Sequence, residues 1–201
     1  SSGSRVFGDL SVIGVDGKIY HIHMPGLSML FSPLLKLDML IYPSETAPNN
    51  PYPYLKEFPA KLQFTRLGLL LLGILTFLLF ARLIYRLFNS LFLLALLLIL
   101  FIYSSPVPDF IFQLYPEVTA CFLTLLVVNA LLFPFKNRFL NDLLTVLGIG
   151  FLPWLHQRFI FIALGLYITL LINEIFYRKN YKRPLFLSFF LFIASLPYFY
   201  Y

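Results

Sequence analysis

The chain has 201 residues, 60% hydrophobic and 12% charged, with 24 Phe, 13 Tyr and a mean hydropathy of +0.84. Soluble domains carry about 45–50% apolar and about 25% charged residues, so the composition excludes a soluble globular domain and intrinsic disorder and implies a polytopic protein solvated largely by lipid. The net charge of +6 does not point to nucleic acid, because the basic residues fall mainly at the ends of apolar runs, where they act as topological anchors.

Residues 1–66 read as an extramembrane region holding seven of the 14 prolines: Pro25, Pro33, Pro43, Pro48, Pro51, Pro53 and Pro59. Within it, Val12 to Val15 and Lys18 to Ile22 flank Asp16-Gly17, a pair suited to a type I′ turn, so a short hairpin is expected. Leu27 to Ile41 is apolar apart from Ser28, Ser32, Lys36 and Asp38. As a helix it would be about 22 Å long, short of the roughly 30 Å hydrocarbon core, and it carries two charges, so an interfacial helix is expected, with a short tilted span as the alternative. The proline-rich stretch Pro43 to Pro53 cannot continue a helix and reads as a loop.

Residues 67–201 read as an all-α polytopic transmembrane helix bundle of about six spans, with apolar runs near 67–85, 90–104, 117–134, 140–153, 159–177 and 184–201. The fourth run is short and contains Gly148 and Gly150, so a tilted or broken helix is expected there. Arg82, Arg86, Lys136, Arg138, Arg178, Lys179, Lys182 and Arg183 flank alternate loops, whereas the intervening loops carry only Arg158. The asymmetry assigns the basic loops to the cytoplasm and residues 1–66 to the non-cytoplasmic face. The one cysteine, Cys121, lies inside an apolar run and allows no intramolecular disulfide. The chain opens at Ser1 without a Met and stops in mid-run at Tyr201, and it reads as a piece of a longer protein.

With this parity His21, His23, Asp109, Tyr115, Glu117, Trp154, His156 and Arg158 converge on one membrane face. Glu117 follows Tyr115-Pro116 at the start of an apolar helix, where a carboxylate complements the helix dipole. If it faces a cavity, it offers a ligand for a cation or a substrate hydroxyl. Trp154, His156 and Arg158 in Leu152-Pro153-Trp154-Leu155-His156-Gln157-Arg158 suit a phosphate or a sugar ring. They equally suit an interfacial belt with a snorkelling arginine. His21 and His23 lack a third ligand at diagnostic spacing, so no metal site is assigned. Glu174 is expected to pair with Arg178 at i+4. No phosphate loop, nucleotide fingerprint, metal array or nucleophile elbow is present in the sequence.

Three stretches taken together, Gly17 to Leu27 with His23-Met24-Pro25-Gly26-Leu27, Tyr115-Pro116-Glu117-Val118, and Leu152 to Phe159, resemble a set of uncharacterised bacterial polytopic proteins. These in turn resemble the GT-C class of membrane glycosyltransferases, which includes protein mannosyltransferases and aminoarabinose transferases. Gly26 stands where that class has the second proline of its Pro-Pro-Leu element. The resemblance implies a GT-C-like enzyme of the bacterial inner membrane that moves a sugar from a polyprenyl-phosphate donor to a glycan, lipid or protein acceptor at the outer face. It implies Arg158 and His156 at the donor phosphate, Glu117 at a sugar hydroxyl or a divalent cation, His23 near the acceptor, and Tyr115 and Trp154 in the substrate-binding set. The acid that serves this class as base or metal ligand would precede Ser1. A transporter or flippase of lipid-linked saccharides, and a non-catalytic scaffold, are the rival readings.

Overall fold

The computed structural model describes residues 6–7, 11–13, 19–21, 26–42, 62–104, 116–177, 179 and 182–200. Three short strands, β1 (Val6–Phe7), β2 (Ser11–Ile13) and β3 (Ile19–His21), pair antiparallel in that order, with Val12 opposite Tyr20 and Ile13 opposite Ile19. The expected Asp16-Gly17 turn, the loop 43–53, and His23, Asp109, Tyr115 and Arg178 lie outside the described residues.

The rest is helical: α1 (Gly26–Ile41), α2 (Gln63–Phe88), α3 (Leu91–Ser104), α4 (Pro116–Leu132), α5 (Arg138–Leu155), α6 (Ile160–Ile172) and α7 (Lys182–Tyr200). A 3₁₀ turn, Gln157–Phe159, leads into α6, and a π turn, Asn173–Tyr177, continues it. Every apolar run of the sequence forms a helix. Three helical stretches, Gln63–Phe88, Arg138–Leu155 and Gln157–Phe176, are long and apolar enough to cross a membrane; α3, α4 and Arg183–Ile193 of α7 are shorter apolar helices.

Local chemistry sets the ends. Asn89 adopts a left-handed conformation (φ 47°), and its amide donates to the Tyr85 carbonyl at 2.8 Å, closing α2. Ser90 Oγ then accepts from Leu93 N at 3.3 Å to start α3. Pro116 begins α4, where a missing N–H is harmless. Asn137 caps α5 by accepting from Leu140 N at 3.2 Å.

α5 lies at the centre, packed on α4, α6, α7 and α1, while α2 packs on α1, α3 and α4. Val127 and Leu131 of α4, Val146, Ile149 and Leu152 of α5, and Leu170 of α6 share one buried core. The apolar side chains on the outside, such as Leu71, Ile74 and Leu78 of α2 and Phe161 of α6, face the solvent that the composition requires, lipid.

One expectation is corrected in part: the fourth run is not broken but forms one helix of 18 residues. Gly148 serves close packing there: a Cβ on it would sit 2.5 Å from Val127 Cγ2, so its absence lets α4 and α5 approach. Pro153 falls two residues before the helix end, so its missing N–H affects only the last turn. The expected pairing of Glu174 with Arg178 falls outside the described residues; within them Glu174 binds Arg183, nine residues on, and Arg183 also holds Asp142 of α5. This cluster ties the centre of the bundle to the π turn and α7. Glu174 is 1% exposed.

α1 crosses one end of the bundle. Its first residue, Gly26, abuts the C-terminal part of α5, where a Cβ would lie 2.5 Å from the Trp154 carbonyl oxygen. Phe31 and Leu34 pack over Gly68 of α2. Asp38, fully buried, accepts from Phe64 N at 2.8 Å, Thr65 N at 2.9 Å and Thr65 Oγ1 at 2.7 Å. A carboxylate from α1 thus caps α2, whose own N-cap residue, Leu62, has no side chain able to do so.

Candidate functional site

Alternation of the helices brings the start of α4 beside the turn between α5 and α6, at the end of the bundle that α1 covers. Glu117, in the first turn of α4, pairs with Arg158 of the 3₁₀ turn, 41 residues away. The Arg158 guanidinium also lies over the Phe159 ring, 5.0 Å from its centroid, and remains half exposed (51%). The Glu117 side chain is 27% exposed, and its second oxygen, Oε2, is buried with no hydrogen-bond partner among the described residues. A buried carboxylate oxygen without a donor is costly unless something supplies one.

His156 caps the turn that carries Arg158: its Nδ1 accepts from Arg158 N at 3.2 Å. That bond requires an unprotonated Nδ1. The imidazole also meets the Phe159 ring edge-on, with centroids 6.2 Å apart. His156 therefore orients Arg158. Trp154 contributes its backbone to the contact with Gly26, and α1 is seated against this same turn. Of the residues singled out in the sequence, Glu117, Trp154, His156 and Arg158 come together; His21 ends β3, and His23 and Tyr115 fall outside the described residues.

The site does not assemble a metal centre: among the described residues no group of three His, Cys, Asp or Glu side chains is placed to hold an ion. One guanidinium paired through one carboxylate oxygen can bind an anion from its exposed side.

Sequence reasoning missed Asp38 as the cap of α2 and Arg183 as the partner of Asp142. The first was visible as a lone acid in an apolar segment, where a buried carboxylate needs donors. No family model, no curated protein and no solved structure matches the chain.

Proposed function

We propose that the chain belongs to a GT-C-like membrane glycosyltransferase that takes a sugar from a polyprenyl-phosphate donor and passes it to a cell-envelope acceptor at the non-cytoplasmic face, in a six-span topology with residues 1–66 outside. The observation that carries the reading is the half-exposed Arg158 guanidinium held in place by Glu117. Arg158 receives the donor phosphate through its exposed edge, Glu117 holds the guanidinium, and the exposed part of the Glu117 carboxylate lies where a sugar hydroxyl of the donor would come. His156 positions Arg158 through the turn. The catalytic base is assigned to no residue of this chain.

The test is transfer of a labelled sugar from a polyprenyl-phosphate donor by the complete protein in proteoliposomes. Arg158→Ala should reduce transfer by at least about a hundredfold, and Glu117→Gln by a smaller factor, with both variants inserted normally. Unchanged transfer in Arg158→Ala removes the donor-phosphate role. Topology is read separately: a cysteine at Ser105 should label from outside the cell, and one at Asn137 only after permeabilisation. Transport of lipid-linked saccharides would need a polar path to the Arg183 cluster at the other end, and buried Val127, Ile149 and Leu152 occupy that route.

A further inference from the structure

The end of the bundle opposite α1 carries a second feature with its own chemistry. Residues 133–137 link α4 to α5, and they are held rigidly: Arg82 of α2 donates to the Phe133 carbonyl at 3.1 Å and lies 4.5 Å from the centroid of the Phe135 ring, and Phe135 N donates to Asn141 Oδ1 at 3.0 Å. Between this link and the start of α7 is a cleft of about 320 Å³, lined by Pro134, Phe135, Lys136, Arg138, Asn141 and Arg183. That volume lies at the lower end of the range for small-ligand sites.

Three cationic side chains from two separate segments line this one cleft. Arg183 is engaged by Asp142 and Glu174, so its guanidinium is fixed. Lys136 and Arg138 are exposed and have no ion-pair partner among the described residues. Arg138 is also the first residue of α5, where the helix dipole favours an anion. None of the lining residues is acidic, and the two carboxylates beside the cleft, Asp142 and Glu174, are bound to Arg183, which leaves Lys136 and Arg138 as the charges open to an anion.

We infer that the cleft between residues 134–138 and Arg183 binds a phosphate group, that of an anionic phospholipid in the leaflet at this end of the bundle. The apolar surroundings favour a lipid over a soluble phosphate. Phe186 and Phe190 of α7, three and seven residues after Arg183 and so on the same side of that helix, are exposed with their ring centroids 4.7 Å apart, an apolar strip leading from the cleft that gives acyl chains a surface. Paired cations near a membrane surface attract anionic lipid with about 1 kcal/mol each. The site is independent of the Glu117–Arg158 reading, which concerns the other end.

The experiment is native mass spectrometry of the full chain in mild detergent, titrated with phosphatidylglycerol or phosphatidylcholine. The parent should retain phosphatidylglycerol in preference to phosphatidylcholine. The double variant Lys136→Gln, Arg138→Gln should bind phosphatidylglycerol about thirtyfold more weakly, whereas Arg66→Gln, at the opposite end, should bind like the parent. Both replaced side chains are exposed, and a circular dichroism spectrum matching the parent separates lost binding from lost fold. Inorganic phosphate added in competition distinguishes the sources: lipid that resists displacement supports the lipid headgroup, and displacement at equal concentration overturns it in favour of a soluble phosphate. Equal retention of the two lipids, undiminished binding in the double variant, or an equal loss in Arg66→Gln overturns the inference.

Discussion

The two ends of the bundle each carry an arginine bound to carboxylate, and the two pairs are built to different standards. Arg183 is surrounded: it holds Asp142 and the 1% exposed Glu174 and joins three elements. Arg158 meets Glu117 through one oxygen, has one carboxylate where Arg183 has two, and keeps half of its side chain in the open. The same pair of groups thus works as a structural tie where burial and a second carboxylate saturate it, and as an open binding edge where exposure leaves capacity unused.

The contrast breaks first at Arg183. Arg183→Ala should destabilise the protein by about 3–5 kcal/mol, because it strands buried carboxylates, as read by thermal unfolding in detergent. A loss below about 1 kcal/mol would mean that the cluster is not a tie. Gly26→Ala comes next. The added methyl would collide with the Trp154 backbone, which cannot swing away, so about 1–3 kcal/mol is expected along with an altered Trp154 fluorescence.

Asp38 sharpens the comparison from the α1 side. Asp38→Ala should cost about 0.5–2 kcal/mol as a lost helix cap. Burial raises the pKa of this carboxyl, but bonds from the Thr65 hydroxyl and the amides of Phe64, Thr65 and Gln63 outweigh it and hold the group below its ordinary value of 3.8. A depressed folded-state pKa adds stability that is fully present above that ordinary value and disappears as pH falls through the folded one. Unfolding followed from pH 7 down to pH 2 should therefore lose this contribution only below about 3.8, and Asp38→Asn should flatten that limb. The smallest effect belongs to Arg158→Ala, which should shift stability by less than about 1 kcal/mol because the pair is half exposed. A large loss there would make Arg158 a second tie and remove the distinction between the two ends.

Much of the helical layout was legible because apolar runs in a lipid-solvated chain have few other options. The approach of Glu117 to Arg158 was legible too, since counting crossings places the start of one helix beside the turn between two others. Spacing suggests Arg178 for Glu174 by the i+4 rule, and that residue falls outside the described ones. Arg183 lies beyond the reach of any local rule: the π turn and the start of α7 bring it back across nine residues. Gly148 read as a weakness because one sequence does not display Val127 of the neighbouring helix, and only that neighbour turns a missing side chain into close packing. Asp38 reaches the amides of a helix that begins 25 residues later, and no periodicity encodes such a cap.

That borrowed cap makes α2 dependent on chain far upstream of itself. A shortened protein begun at Gln63 would retain, among the described residues, every helix long enough to cross a membrane, yet the amides of Phe64 and Thr65 would be left without their acceptor, and Gly68 would lose the cover of Phe31 and Leu34. For anyone dissecting this protein, the smallest stretch that carries its own first span intact starts no later than Gly26.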